Sequence, residues 1–368
     1  MTTIAFLRPR TPGTLTAAVG LVALATCAVM ASGCRKGPDP VEPAVWKLTQ
    51  TSEALVPDAA LRGQIFKALD AAASAGTDPS ISKFHVRAAT VVERDGVERV
   101  IVGGNSEYAY YPEAIHGETS LINHVISMVG PDAARRGVRF VAFYSEQCGG
   151  GGSCGDCRDY LMTTTAWPDL LMVCGQSTDR TVHVDRFAKW VVPEDRFPVV
   201  TAEQTGLEAA QLDALVTAAL EARAGGVALF TADTEHLGVA VLTTTGRIYR
   251  AAGADDAAFH YRYPVGAALQ QAATYRDYFV RALVVAAAPG RLPRLSYRDR
   301  QYGNEFSSFN RKRGLEPIRL ILVEQTAELS HRYRLSSFEE ALPGAFGAAD
   351  FMPEAVERFL ARAPSPVR

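Results

Sequence analysis

Two short stretches decide the fold of this chain: GGNSEYAYYPEAIHGE at residues 103–118 and SCGDC at residues 153–157. They contain His116, Cys154 and Cys157, one imidazole and two thiols, a donor set that binds Zn²⁺. Three protein ligands leave one coordination position for water, as catalytic zinc sites do. Glu118 stands two residues after His116, where a carboxylate can move protons without being a ligand. Together the two stretches predict a catalytic zinc centre.

The residues around these stretches predict helices that begin at the ligands. The pattern favours helices over 114–129 and 154–163, with a compact strand at 138–144 between them. The positive end of a helix favours the thiolate form of cysteine, and Arg158 adds a further positive charge. A Cys-x-x-Cys pair alone fits a redox site or a structural zinc site equally well, so the prediction depends on its combination with His116 and Glu118.

The rest of the chain predicts an α/β sandwich with a mixed sheet, present twice. In the first half, a helix over 58–73 precedes strands 84–92 and 99–102, which join around Asp95-Gly96. Near residue 200 the same order of elements starts again. The second set comprises a helix at 201–224, a hairpin of 238–242 with 247–251, a helix near 267–282, and strands 283–288 and 318–324. The pattern therefore indicates duplication of a whole domain.

Length and charge limit the kind of partner. The 368 residues have room for roughly two domains. The net charge of −2 gives no general attraction to nucleic acid, so a small-molecule substrate is favoured over a polynucleotide.

The first 34 residues predict an export signal. Arg8 and Arg10 precede an apolar run at 15–30, which is shorter than the ~20 residues of a membrane span. Small residues directly before Cys34 are typical of a lipoprotein signal, in which this cysteine is lipidated and becomes the mature N-terminus. A plain secretory signal or an uncleaved anchor would fit the same residues. Residues 35–50 read as a polar linker.

Export would bring the chain into an oxidising compartment. Two cysteines, Cys148 and Cys174, remain outside the predicted signal and the zinc centre. They fit a disulfide, and they fit buried free thiols equally well. The sequence leaves this choice open.

The stretch 103–118 resembles the nucleoside cytidine deaminases, which carry G-x-N-x-E, then small and aromatic residues, then a zinc-ligand-x-Glu motif. The resemblance implies a three-layer α/β/α sandwich in which a zinc-bound hydroxide attacks C4 of the pyrimidine and Glu118 shuttles protons. It also implies that Asn105 and Glu107 bind the sugar. Residues 82–89 resemble the family's leading strand, so Phe84 becomes the candidate for stacking on the base. From the residues alone, Asn105 could instead serve a turn and Phe84 the core.

The second half resembles a decayed copy of the same domain. Residues 253–268 match the ligand stretch, with Gly266 and Ala268 at the ligand and carboxylate positions. Residues 296–300 stand for 153–157 without the thiols, and residues 337–347 resemble the family's C-terminal segment. This implies the two-domain, homodimeric branch of the family. The expected boundaries are 51–197 for the zinc domain, 198–352 for the zinc-free domain and 353–368 for a tail.

The expected activity is therefore zinc-dependent deamination of cytidine or deoxycytidine to uridine or deoxyuridine by an exported, membrane-anchored lipoprotein. Gly117 and Ser153 depart from the family pattern, where Ala and Pro are usual, and they leave the substrate open. One alternative is deamination of another aminated heterocycle or a modified nucleoside. A second is an exported zinc-binding lipoprotein without turnover.

Overall fold

Two six-stranded mixed sheets organise the chain. The computed structural model describes residues 45–107, 114–145, 152–227, 229–230, 236–255, 261–326, 330–345, 347 and 353–363. The predicted signal with Cys34, and also Cys148, lie outside the described residues. In the part that is described, no helix has the length and apolar character needed to cross a membrane.

The first sheet has the order β1-β6-β5-β4-β2-β3. Its strands are β1 (Lys47–Leu48), β2 (Arg87–Arg94), β3 (Val97–Gly104), β4 (Phe140–Ser145), β5 (Leu171–Gln176) and β6 (Thr181–Arg186). Strands β4 and β5 are parallel, as are β1 and β6, and the other neighbours are antiparallel. A left-handed turn at Asp95 and Gly96 joins β2 to β3, as the sequence predicts.

The second sheet repeats this order as β7-β14-β13-β12-β8-β9. Its strands are β7 (Val199–Val200), β8 (Gly238–Thr243), β9 (Ile248–Ala252), β12 (Val280–Ala286), β13 (Arg319–Gln325) and β14 (His331–Ser337), while β10 (Ala254–Asp255) and β11 (Tyr261–Arg262) form a separate pair. Strand directions match those of the first sheet at every pair except the edge, where β7 is antiparallel to β14. The predicted duplication is therefore confirmed by the topology.

Helices cover both faces of each sheet. The first half contains α1 (Gln50–Leu55), α2 (Ala59–Ala73), α3 (Gly117–Val129), α4 (Pro131–Gly137) and α5 (Gly155–Thr164), and the second half contains α6 (Ala209–Ala224), α7 (Pro264–Thr274), α8 (Tyr297–Lys312) and α9 (Phe338–Ala341). A further helix spans Pro353–Arg362. Successive residues of a strand face opposite sides of the sheet. Ala88 belongs to the hydrophobic core formed with α3 and α5, and Ala89 belongs to the core formed with α2. This alternation produces the three layers.

Two predicted helices have wrong bounds, and the first of them, predicted over 201–224, begins only at Ala209. The sequence suggests a helix near 267–282, but α7 ends at Thr274 and β12 begins at Val280. The chain turns at Arg276, whose φ of 59° is left-handed and incompatible with a continuing helix. The apolar run after it then pairs with β8 and β13, because a strand buried on both faces is apolar throughout.

Gly103 in β3 fixes where α3 lies. A Cβ at this position would be 2.3 Å from the amide nitrogen of Leu121 and 2.6 Å from the carbonyl oxygen of Gly117. Only glycine therefore allows the first turns of α3 to lie directly on β3. This contact holds the start of α3, and with it His116, against the sheet.

Candidate metal centre

Two helix N-termini bring His116, Cys154 and Cys157 together, and we call these residues the metal trio. His116 is the N-cap of α3, Cys154 is the N-cap of α5, and Cys157 is the third residue of α5. The imidazole Nδ1 of His116 lies 3.0 Å from Sγ of Cys154 and 3.2 Å from Sγ of Cys157. The three donor atoms lie within 4.8 Å of one another. The sequence-predicted ligands thus form one cluster.

The electrostatics of the trio favour a thiolate at Cys154. Hydrogen bonding to Cys154 raises the pKa of His116 to about 9. Hydrogen bonds with Cys157 and His116 hold the pKa of Cys154 well below its usual value, whereas burial raises the pKa of Cys157 well above it. These directions describe a Cys154 thiolate beside a His116 imidazolium, with the remaining proton on Cys157. The positive ends of α3 and α5 support the thiolate.

Glu118 is the buried carboxyl group of the centre. It is the second residue of α3, and only 6% of it is exposed. Burial raises its pKa, and the negative charge of Cys154 adds to this, while His116 acts in the opposite direction. The Ser153 hydroxyl also lowers the pKa of Glu118, although Ser153 Oγ forms no hydrogen bond of regular geometry. Glu118 is therefore a carboxyl group that holds its proton more tightly than an exposed glutamate does.

The trio fits a soft divalent cation. Two thiols and one imidazole are the donors that zinc prefers, and all three point at a common volume. Cys154 and Cys157 are free thiols rather than a disulfide, so both sulfurs remain available. The described residues contain no other clustered set of His, Cys, Asp or Glu of this kind.

The predicted sugar-binding residues lie beside the segment before β2. The side-chain oxygen of Asn105 accepts from the Val86 amide at 2.9 Å, and its amide nitrogen donates to the Phe84 carbonyl at 2.8 Å. The Glu107 carboxylate accepts from the amides of Ile81 at 2.8 Å and Ser82 at 2.6 Å. Both side chains thus hold backbone groups of the segment that carries the half-buried Phe84.

Glu107 is ionised in this arrangement. Burial alone would raise its pKa, but hydrogen bonds from Ser82 and Ile81 and the positive charge of His116 outweigh burial, so the pKa lies below its usual value. Glu107 is therefore close enough to the metal trio to sense the charge of His116.

The sequence predicts Arg158 only as a charge near the thiolates, and the structure gives it a larger part. Arg158 is fully buried, and its guanidinium donates to the carbonyls of Ser153 at 2.7 Å, Trp190 at 3.1 Å and Pro343 at 2.8 Å. In the second half, Arg300 occupies the same place in α8 and donates to the carbonyls of Val192 and Ala341. Arg158 thus ties the turn before Cys154 to both halves of the chain.

Asp159 is a site residue that sequence reasoning misses. Its carboxylate accepts from the amides of Tyr297 and Arg298, both at 2.9 Å, at the start of α8. Arg298 in turn forms an ion pair with Asp156, which lies between the two cysteines, at 3.0 Å. No local pattern signals these contacts, because the partners are far apart in sequence.

The helix N-caps define the equivalent positions of the second half. Tyr263 begins α7 as His116 begins α3, and Ser296 begins α8 as Cys154 begins α5. Asp299 is the third residue of α8, the place of Cys157 in α5. The sequence predicts that Gly266 and Ala268 correspond to His116 and Glu118, and that residues 296–300 correspond to 153–157. The structure places the corresponding positions at other residues along the chain. Since none of these three positions holds a histidine or a cysteine, the sequence offers no anchor for the alignment.

No family model matches the chain, and a comparison with curated proteins finds no match. Solved structures of cytidine deaminases do match. The protein from Burkholderia pseudomallei is 25% identical, with a TM-score of 0.29, over 35% of this chain and 94% of that one. The protein from Mycobacterium leprae is 28% identical, with a TM-score of 0.25, over 36% of this chain and 97% of that one. The protein from Mycobacterium tuberculosis is 28% identical, with a TM-score of 0.24, over 31% and 85%.

Proposed function

We propose that this chain is a zinc-dependent hydrolase that deaminates cytidine or deoxycytidine to uridine or deoxyuridine. One observation carries the proposal: the buried Glu118 carboxyl group lies at the start of the same helix as His116, beside the metal trio. A purely structural zinc site has no use for an ionisable group in this place, whereas a hydrolytic site needs one.

In the proposed reaction the metal trio would hold Zn²⁺, which would supply a Lewis acid and lower the pKa of water bound to it. Glu118 accepts a proton from the attacking water and delivers protons to the ring nitrogen and to the departing ammonia. Its raised pKa supports the first step, because a carboxylate that binds a proton more tightly is the stronger base towards water.

For the substrate, we propose that Phe84 stacks on the base and that Asn105 and Glu107 contact the sugar. Asn105 has two N–H groups and gives one of them to the Phe84 carbonyl, which leaves the second for a hydroxyl. The carboxylate of Glu107 is ionised, so it can accept a hydrogen bond from a hydroxyl.

A second candidate is deamination of another aminated heterocycle. It is supported by the hydrogen bonds that Asn105 and Glu107 already make to backbone groups, because these contacts reduce what remains for a sugar. The rival from another class, an exported zinc-binding lipoprotein without turnover, would retain the metal trio but would not require Glu118.

The test uses the full chain loaded with zinc. Zinc per chain is measured, and cytidine and deoxycytidine are followed by the change in ultraviolet absorbance. The Glu118→Gln variant should keep its zinc and lose turnover. Zinc without turnover on either nucleoside would reject the first candidate and lead to other aminated heterocycles. A parent protein that takes up no zinc would reject all three readings.

Export, lipidation at Cys34 and a homodimeric state are part of the same proposal. The basis for the first two is the sequence of residues 1–34. A disulfide at Cys174 supports an oxidising compartment. Metabolic labelling with a fatty acid in cells carrying Cys34→Ala would test the anchor, and sedimentation of the purified protein would test the dimer.

A further inference from the structure

The duplication provides an internal comparison for Glu107. In the first half, Asp78 forms a parallel bridge with Ser106, and the Glu107 amide donates to the Asp78 carbonyl at 2.9 Å. In the second half, Val227 forms a parallel bridge with Ala254, and the Asp255 amide donates to the Val227 carbonyl at 3.1 Å. Glu107 and Asp255 therefore occupy the same place, one residue after the bridge.

Their carboxylates make the same contacts. Glu107 accepts from two consecutive amides, those of Ile81 and Ser82. Asp255 accepts from two consecutive amides as well, those of Leu229 at 2.5 Å and Phe230 at 3.0 Å. The shorter aspartate binds amides one residue closer to the bridge, which fits its missing methylene group. Both carboxylates are buried, with 9% of Glu107 and 7% of Asp255 exposed.

The second half keeps this carboxylate although it has lost the metal ligands. Tyr263, Ser296 and Asp299 stand in the places of the trio, and the described residues of this half contain no similar donor set. The two hydrogen bonds of Asp255 therefore form without a metal site beside them. What the two halves share is a segment that must be held against its sheet.

In the first half this segment forms a wall of the metal centre. The Ser82 hydroxyl, itself bound to Glu107, accepts from the Phe84 amide at 3.0 Å. Two residues further on, Val86 packs on Gly117, where a Cβ would lie 3.0 Å from the Val86 carbonyl oxygen. Gly117 separates His116 from Glu118. Contacts thus connect Glu107, through this segment, with Gly117, the residue between His116 and Glu118.

We propose that Glu107, besides its proposed contact with the sugar, is a positioning residue that clamps the segment 78–86 and so holds Phe84 and Val86, and that Asp255 is its counterpart for residues 227, 229 and 230. The clamp consists of hydrogen bonds within the chain and does not depend on the proposed reaction. It differs from a sugar contact, which would be made only when a nucleoside is bound.

The first test is amide hydrogen exchange of the ligand-free full chain in the parent, Glu107→Gln and Asp255→Asn. Loss of a charge-assisted acceptor should raise exchange at the held amides about tenfold or more. Glu107→Gln should affect Ile81 and Ser82 and leave Leu229 and Phe230 unchanged. Asp255→Asn should give the reverse. Parent-like exchange of segment 78–86 in Glu107→Gln would overturn the proposal.

A milder variant protects the test against misfolding. Ser82→Ala removes a single contact with Glu107 and should raise exchange in segment 78–86 by a smaller factor. No rise in this variant would also count against the clamp. Neither exchange experiment needs turnover, so a protein that fails to deaminate cytidine would reject the proposed function and leave the clamp standing.

A kinetic arm separates the clamp from a sugar contact and rests on the proposed function. The probes are cytidine and 2′,3′-dideoxycytidine, which lacks both ring hydroxyls. The clamp predicts that Glu107→Gln lowers kcat/KM for 2′,3′-dideoxycytidine as well as for cytidine. A loss confined to cytidine, with kcat unchanged, would show that Glu107 acts only as a sugar ligand and would refute the positioning role.

Discussion

Replacement of Arg158 by methionine should destabilise the protein by about 3 kcal/mol and weaken zinc binding. Arg158 is fully buried and donates to three backbone carbonyls, those of Ser153, Trp190 and Pro343. Each buried carbonyl left without a donor costs roughly 1–3 kcal/mol, so the three together cost about 6 kcal/mol. Methionine fills similar space, which keeps the cavity contribution small.

An opposing contribution reduces this loss. Burial lowers the pKa of Arg158 to about 10, and the charged form gives up about 3 kcal/mol on folding for that reason. Methionine avoids this cost, so the net loss becomes about 3 kcal/mol. That is a large share of the roughly 5–15 kcal/mol that stabilises a typical domain.

The assay is urea unfolding followed by circular dichroism, combined with competition for zinc by a chelator. Arg300→Met is the matched control, because Arg300 has the same place in α8 and also donates to backbone carbonyls. Arg300→Met should lose more stability, since it removes the positive charge paired with the buried Glu194 carboxylate, but it should change zinc affinity less. An Arg158→Met protein within about 1 kcal/mol of the parent would refute the reasoning.

Three further predictions concern protons and close contacts. Zinc binding near pH 7 should release about two protons, from His116 and Cys157, because metal ligands must be deprotonated. Calorimetry in buffers of different ionisation enthalpy measures the number of protons released. Release of less than one proton would contradict the assigned charges. Burial raises the pKa of Asp299 to about 7, so the folded state binds this proton more tightly than the unfolded state and stability falls as pH rises from about 4 to 7. In the Asp299→Asn variant this fall should be absent, so its stability relative to the parent should rise by at most about 4 kcal/mol between about pH 4 and pH 7. Equal pH profiles of the unfolding free energy in the two proteins would argue against this role of Asp299. Gly155→Ala should lower both stability and zinc affinity, because its Cβ would lie 2.1 Å from the Tyr297 carbonyl oxygen. Unchanged thermal unfolding would show that the starts of α5 and α8 can move apart at little cost.

The sequence predicts the metal trio and the helices that begin at its ligands. This succeeds because His116, Cys154 and Cys157 combine an unusual chemistry with local spacing, and because helix N-termini leave local signals. The duplication is also predictable, since hydrophobic periodicity repeats along the chain.

Contacts between distant parts of the chain are not predictable in this way. Arg158 reaches the Pro343 carbonyl, and Asp159 reaches the amides of α8. Backbone groups accept or donate in both cases, so the identity of the partner residue carries no signal. The function of Glu107 is hidden for the same reason, because it holds amides rather than side chains.

The crossed arginines have a consequence for how this chain can evolve. Arg158 of the first half is satisfied partly by the second half, and Arg300 of the second half is satisfied partly by the Val192 carbonyl in the connecting stretch. After a gene duplication, one copy is free to lose its metal ligands by drift. It cannot then be deleted at no cost, because its removal would take away one of the three carbonyl acceptors of the buried Arg158 guanidinium. Mutual dependence of this kind preserves a domain after its own chemistry has gone.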